Sequence, residues 1–265
     1  MTRCDLSLGF IGLGALGLPM AANLCKAGFR LHVHTRSRNA EAAPDLLGTQ
    51  SCASPAEVAE TIDVLMLCVS DDQAVDDVLF GPDGAAATLR PGAVVVDCST
   101  IAPSKAQQCA ERLAHQQIHY LDAPVTGGTE GASRGSLTVL VGGAKEPLER
   151  VRPILEVIGT AIHHFGAVGR GQQVKAVNQV LVAGSYAAVA EAVALGQRLD
   201  LPMARVIDAL KSGAAGSWAL EPRSNAMLEG TYPLGFRLSL HRKDLGIALD
   251  AARAVQLDLP VTTLV

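Results

Sequence analysis

Gly9-Phe10-Ile11-Gly12-Leu13-Gly14-Ala15-Leu16-Gly17-Leu18-Pro19-Met20 decides how the first half of this chain folds. An apolar run from Leu6 to Ile11 reads as a strand, and helix formers follow from Leu18 to Ala27. Pro19 is tolerated only near a helix start, which fixes where that helix begins. Between the two stands G-x-G-x-x-G. Glycines there let the backbone touch a pyrophosphate, and the helix start offers free N–H groups to it. Gly12, Leu13, Gly14, Ala15, Leu16 and Gly17 are therefore the candidate dinucleotide loop.

Working outward, a second strand spans Phe29 to His34 and ends in Thr35-Arg36-Ser37-Arg38. An acid in this position would bind a ribose 2′-hydroxyl, and none stands in those four residues. A guanidinium suits a 2′-phosphate, so Arg36 points to NADP as the preferred cofactor. The alternative is that Arg36 stacks on the adenine and NAD binds as well. Ser54-Pro55-Ala56-Glu57 is a helix start. Asp63–Val69 and Ala93–Val96 are continuous apolar runs, the pattern of buried parallel strands. They lead into Val69-Ser70-Asp71-Asp72 and Asp97-Cys98-Ser99-Thr100, and such strand-end loops face ligand in open α/β sheets. Pro103 opens a helix, Ile118–Leu121, Ser136–Val141 and Ala161–Phe165 read as strands, and Glu146–Val157 as a helix.

This alternation predicts an α/β fold: a Rossmann-type, doubly wound, mainly parallel sheet over residues 1–164 that binds NAD(P). After Phe165 the strand signals stop. A long small-residue helix over about Gly171–Leu199, then helices near Pro202–Lys211, Ser217–Leu228 and Leu238–Val255, make residues 165–265 an all-α domain. The long helix is expected to join the two domains, its small side chains allowing close packing and a dimer or tetramer.

Three further stretches carry chemistry. In Asp122-Ala123-Pro124-Val125-Thr126-Gly127-Gly128 the paired glycines allow consecutive N–H groups to form an anion nest, beside the Thr126 hydroxyl; a plain turn is the alternative. Gly169-Arg170-Gly171-Gln172-Gln173-Val174-Lys175-Ala176-Val177-Asn178-Gln179 sets Lys175 and Asn178 three apart, on one helix face. His241-Arg242-Lys243-Asp244 interrupts an apolar pattern. By themselves Lys175, Lys243 and Asp244 read as solvated surface charges. Trp218 and Phe236 either line the substrate pocket or belong to the core, the default assignment.

Composition removes several classes. With 265 residues and 49% apolar content, one large domain or two ordinary ones can bury a core. The net charge of -4 and the absence of a basic run argue against nucleic acid. All six cysteines precede residue 110, in no zinc spacing, and several lie in apolar runs. Buried free thiols and no bound metal are expected, in a reducing compartment. No leader pattern opens the chain and no uninterrupted apolar run is long enough for a membrane, so a soluble cytoplasmic protein is expected.

Gly9–Leu24 resembles the opening signature of the β-hydroxyacid dehydrogenases, which include 3-hydroxyisobutyrate dehydrogenases, tartronate semialdehyde reductases and glyoxylate/succinic semialdehyde reductases. Asp122–Gly128 is similar to the family's D-A-P-V-S-G-G motif, Gly169–Gln179 to its G-x-G-x-x-x-K-x-x-N-N motif, and Lys243-Asp244-Leu245 to its K-D-L motif. The four occur in the family's order over nearly the whole chain. The resemblance implies an NAD(P)-dependent interconversion of a small 3-hydroxy acid and its semialdehyde. It makes Lys175 the catalytic acid/base, with Asn178 orienting the substrate. Thr126, Gly127 and Gly128 become the substrate-carboxylate loop, Lys243 a lysine near nicotinamide and substrate, and Val69, Ser70, Ser99 and Thr100 cofactor-lining residues. Burial and the cationic Lys243 would tune Lys175 for proton transfer.

Departures from the pattern are Thr126 for serine, Gln179 for the second asparagine, and Ala15-Leu16 where methionine often stands. The sequence also ends at Val265, where the family's chains usually continue for another helix, so either the sequence is truncated or the terminal helix is absent. Rival readings are a non-catalytic NADP-binding scaffold and an imine reductase, an enzyme type that usually replaces the lysine. A 6-phosphogluconate-type enzyme would need a longer helical domain, and a 2-hydroxyacid dehydrogenase a recognisable catalytic histidine.

Overall fold

The computed structural model describes residues 6–232 and 235–265; Cys4, expected among the buried thiols, lies outside them. The chain divides into two compact units, Met1–Lys175 and Ala176–Val265.

In the first unit β1 (Leu8–Ile11), β2 (Leu31–His34), β3 (Gln50–Ser51), β4 (Val64–Leu67), β5 (Val94–Asp97) and β6 (His119–Asp122) form one sheet in the order β3-β2-β1-β4-β5-β6. All of its pairs are parallel. β1, β4 and β5 are buried along their whole length, as their continuous apolar runs require. Their side chains alternate between two cores. Phe10, Met66 and Val96 pack with Met20, Ala21 and Leu24 of α1 (Gly17–Lys26) on one face. Ile11, Leu67 and Val95 pack on the other with residues of α2 (Pro55–Ala59), α3 (Asp72–Phe80) and α4 (Pro103–Ala114). Helices on both faces make the sheet doubly wound.

The strand ends are level. Ile11 pairs with His34 and Leu67, Leu67 with Asp97, and Asp97 with Asp122. The loops that follow these residues therefore leave the sheet along one edge. The strand order reverses between β1 and β4, where open α/β sheets take their ligands.

The structure corrects the expectation that every strand joins one mainly parallel sheet. β7 (Val125–Thr126), β8 (Leu137–Val141) and β9 (Gly159–His164) form a separate sheet, with β7 antiparallel and β9 parallel to β8. Pro124 has no N–H with which to extend a ladder, and the chain turns there. An antiparallel bridge between Asp122 and Gly142 links the two sheets. α5 (Gly128–Arg134) and α6 (Lys145–Ile158) complete this part. Helix α3 was hidden in the sequence because Asp71-Asp72 read as loop; Asp71 is its cap, accepting the Ala74 N–H at 2.8 Å.

α7 (Arg170–Arg198) begins in the first unit and continues through the second. By length and composition it could cross a membrane, contrary to the expectation that no segment could. Its mean hydropathy is spread through Ala, Val and Leu between polar residues, so no uninterrupted run announced it. The second unit adds α8 (Met203–Leu210), a π-turn over Ala219–Arg223, α9 (Ser224–Glu229), α10 (Leu238–Ala254) and α11 (Pro260–Leu264). Its core is small: Val189, Val193, Ile207, Ala219 and Leu220. Trp218 and Phe236 are not part of it. They are 53% and 46% exposed, beside Arg223 and His241 respectively.

The buried end of β5 gives a pH signature. Asp97 accepts hydrogen bonds from the Ser99 N–H (2.9 Å) and the Tyr120 hydroxyl (2.8 Å). Burial nonetheless pushes its carboxyl up to about 6, the bonds only partly opposing it. An unfolded Asp titrates near about 4. Between these values the folded chain holds a proton that the unfolded chain has released, so stability falls as pH rises from about 4 to about 6. Urea unfolding across that window should show a shallower fall in Asp97→Asn than in the wild type.

Candidate active site

The glycines of the first loop do three different jobs. Gly12 has φ +100°, and a Cβ there would run into the Cys68 carbonyl. A Cβ on Gly17 would run into the Gly12 carbonyl, so that glycine lets α1 close onto the turn. A Cβ on Gly14 would meet nothing within 4 Å. The loop is thus tight everywhere except at Gly14, which faces open space with Ala15 beside it. That is the arrangement a pyrophosphate needs, and these residues fit a dinucleotide.

At the end of β2 the structure supplies an acid that was not anticipated. Glu41 is buried, and its carboxylate accepts the Thr35 N–H (2.9 Å) and pairs with Arg38 (3.2 Å). Arg38, at φ +61°, also donates to the Cys52 carbonyl (2.7 Å). Glu41 and Arg38 therefore engage each other, and Arg36 stands exposed just after the strand. The Thr35 hydroxyl accepts from the Leu13 N–H at 3.4 Å, joining this turn to the glycine loop.

The loops after β4 and β5 are also joined. The Val69 N–H donates to the Ser99 hydroxyl (2.9 Å). Ser70 is exposed and donates to Asp71 (2.8 Å), and Thr100 is half-buried. Cys52, Cys68, Cys98 and Cys109 line these cores as free thiols, with Cys25 half-buried. Burial pushes all five up, Cys52 to about 11 and Cys68 to about 12. No cluster of metal-ligating side chains occurs among the described residues.

After β6, Asp122 is fully buried and burial raises its carboxyl, yet both oxygens are bonded. One accepts the Gly169 N–H (2.8 Å) and the other the Gln172 N–H (2.9 Å), so Asp122 caps the start of α7. Gly171 is obligatory because a Cβ would strike the Leu140 carbonyl and crowd the Asp122 carboxylate. Held in this way, α7 carries Lys175, which is 8% exposed and donates from Nζ to the Val125 carbonyl at 2.9 Å. Val125 adjoins Thr126, Gly127 and Gly128, so the lysine and the candidate anion loop are brought together. Gly127 and Gly128 have φ +127° and +66°, conformations that favour glycine. Glu130 was missed: its carboxylate lies 2.9 Å from where a Gly128 Cβ would stand, an acid beside a loop expected to take an anion.

In the second unit Asn178, Gln179, Lys243 and Asp244 form a chain of contacts. The Asn178 side-chain amide donates to Gln179 Oε1 (2.8 Å), Gln179 Nε2 donates to Asp244 (2.7 Å), and Lys243 pairs with Asp244 (3.0 Å). Gln179 and Asp244 are each 3% exposed, so this is not a solvated face. The glutamine that departs from the sequence pattern uses its length to reach both neighbours.

Comparison with known proteins follows this geometry. Residues 7–166 match the NAD binding domain of 6-phosphogluconate dehydrogenase, and residues 169–265 match the NAD-binding domain of NADP-dependent 3-hydroxyisobutyrate dehydrogenase. The 2-hydroxy-3-oxopropionate reductase of Escherichia coli is 40% identical over 97% of this chain and 88% of its own length. The chain belongs to the β-hydroxyacid dehydrogenase family. A 3-hydroxyisobutyrate dehydrogenase structure from Salmonella typhimurium superposes with a TM-score of 0.89 at 32% identity, covering 98% of this chain and 91% of that one. The structure of Psf3 in complex with NADP+ and 2-OPP superposes with a TM-score of 0.89 at 30% identity, covering 97% and 90%. The chain is accordingly an NAD(P)-dependent oxidoreductase of hydroxy acids, in preference to the imine reductase and scaffold readings.

Two glycine variants separate fold from cofactor in this dehydrogenase. Gly14→Val should leave the melting temperature unchanged and weaken NADPH binding about tenfold to a hundredfold, followed by nicotinamide fluorescence. Gly12→Ala should lower the melting temperature, since the Cys68 carbonyl blocks the new methyl.

Proposed function

We propose that the protein interconverts a small 3-hydroxy acid and its semialdehyde, with Lys175 as acid/base and NADP as the preferred cofactor. The observation that carries the reading is the buried Lys175 Nζ held 2.9 Å from the Val125 carbonyl, beside Thr126, Gly127 and Gly128. The bound nicotinamide supplies the hydride chemistry. Gly12 to Gly17 hold the pyrophosphate, with Val69, Ser70 and Thr100 lining the cofactor. Lys175 gives a proton to the carbonyl oxygen in reduction and takes it from the hydroxyl in oxidation, exchanging its hydrogen bond to Val125 for one to the substrate. The Thr126 hydroxyl and the Gly127 and Gly128 N–H groups hold the substrate carboxylate. For Asn178, orienting the substrate, and Lys243, near nicotinamide and substrate, the reading rests on the motif match.

NADP is favoured because Glu41, the acid nearest the end of β2, is engaged by the Thr35 N–H and Arg38, while the exposed Arg36 suits a 2′-phosphate. The relative solved with NADP+ supports the same preference. We place the NAD(P)-binding domain at residues 1–164 and the all-α domain at 165–265. Exposed Val177, Leu181, Leu195 and Leu199 on α7 suit the contact surface of a homodimer or homotetramer. Free thiols favour a soluble, cytoplasmic protein, with small molecules rather than nucleic acid as ligands.

NADPH oxidation followed at 340 nm with glyoxylate, succinic semialdehyde, tartronate semialdehyde and methylmalonate semialdehyde tests the reading, with NADH in parallel. Turnover is expected with at least one acid and faster with NADPH. Lys175→Ala should lower kcat by about three orders of magnitude with NADPH affinity kept, in the range of acid/base catalysis. Equal loss of binding and turnover would sink the lysine's role. Glu130→Gln removes a like charge beside the carboxylate loop and should lower KM for the acid about two- to tenfold. An unchanged KM would put the substrate carboxylate elsewhere.

A further inference from the structure

Gln172 is 1% exposed, and its main-chain N–H and both ends of its side-chain amide are hydrogen-bonded. Its main-chain N–H donates to Asp122 (2.9 Å). Its side-chain Nε2 donates to the Ser99 carbonyl (2.8 Å), and its Oε1 accepts the Ile101 N–H (3.2 Å). The amide cannot be reversed, because a flip would set two donors and two acceptors against each other. The two side-chain bonds fall on either side of Thr100, so the backbone there is held from both neighbours. Ser99 is fixed in turn by its N–H to Asp97 (2.9 Å) and by its hydroxyl to the Val69 N–H (2.9 Å). Lys175 follows three positions later on the same helix, one turn along the same face. A rotation or slide of the start of α7 would break at least one of these three bonds.

We propose that Gln172 is a positioning residue: its side-chain amide ties the loop Ser99–Ile101 to the helix that carries Lys175, so that the cofactor-lining loop and the proton-transferring lysine keep one register. The inference rests on the proposed roles of Thr100 and Lys175. Gln172 itself touches neither substrate nor cofactor. It acts by spacing. A misplacement of about 1 Å between reacting groups can cost about a hundredfold in rate. The hydride-transfer step should feel this more than cofactor binding does.

The test uses the full chain with Gln172→Leu, which has similar volume and neither hydrogen bond, and Gln172→Glu, which keeps an acceptor for the Ile101 N–H and, in the neutral form that burial favours, offers a single O–H to the Ser99 carbonyl. Circular dichroism establishes folding. Steady-state rates then give kcat and both KM values, nicotinamide fluorescence gives the NADPH Kd, and NADPH deuterated at the transferred position gives the isotope effect. Gln172→Leu should lower kcat about ten- to a hundredfold and raise the NADPH Kd only about three- to tenfold, with a larger isotope effect as hydride transfer becomes limiting. Gln172→Glu should fall between it and the wild type. A purely structural role would reduce the folded fraction and leave these constants untouched. A folded Gln172→Leu whose kcat, Kd and isotope effect stay within about twofold of wild type overturns the proposal. If the leucine variant does not fold, the same result for Gln172→Glu overturns it. A wild type that binds NADPH but reduces none of the acids defeats the proposed function instead. Gln172 is then judged by the Kd alone, and a value in Gln172→Leu within about twofold of wild type defeats it too.

Discussion

The arrangement of the first unit depends on one buried carboxylate. Asp122 ends β6, so its position is set by the sheet, and its two oxygens take two of the N–H groups that α7 leaves unpaired at its start. Removing an ionised group from water is costly, and the raised carboxyl of Asp122 registers that cost. Two charge-assisted bonds from a helix N-terminus offset it. The same residue's backbone bridges to Gly142 and so joins the two sheets. Glycine at 171 is what permits the approach. One side chain thereby sets the main sheet, the second sheet and the lysine-bearing helix in a common frame.

Around that frame, polar loops are tied to one another. Thr35 meets Leu13, Ser99 meets Val69, and Glu41 meets both Thr35 and Arg38. The first two ties join the ends of different strands, and the third folds the segment after β2 onto itself. Preorganisation of this kind lowers the ordering cost when a ligand arrives. It also assigns charge. The Glu41–Arg38 pair cancels locally and leaves the turn after β2 with the exposed Arg36 as its outward cation.

Much of this was readable in advance, and the limits have physical reasons. Five of the six parallel strands were legible, β1, β4 and β5 most plainly because strands buried on both faces need continuous apolar runs, whereas the exposed two-residue β3 carries no such signal. Membership of a sheet is not written in composition: Leu137–Val141 looks like Val94–Asp97, yet it pairs elsewhere because Pro124 turns the chain. α3 was hidden behind its own acidic cap. Asp122 stood inside a quoted motif, but its partner lies 47 residues downstream, and no local period reveals such a contact. Glu41 escaped notice because only the left-handed turn at Arg38 folds it back onto Thr35. Lys175 and the Thr126–Gly128 loop were named from sequence, and the Val125 carbonyl that joins them was not. Trp218 and Phe236 were assigned inside by their size, whereas the small core of the second unit leaves both half outside.

The cysteines have a practical consequence. All six precede residue 110, and each of the five described thiols is held above its ordinary pKa by burial. Alkylation needs a thiolate in contact with solvent. With Cys4, Cys25 and Cys68 replaced, the labelling rate of the buried Cys52, Cys98 and Cys109 becomes a clock for openings of the sheet-bearing unit alone, blind to whatever the helices beyond Lys175 are doing. The chain carries its own one-sided reporter of local unfolding.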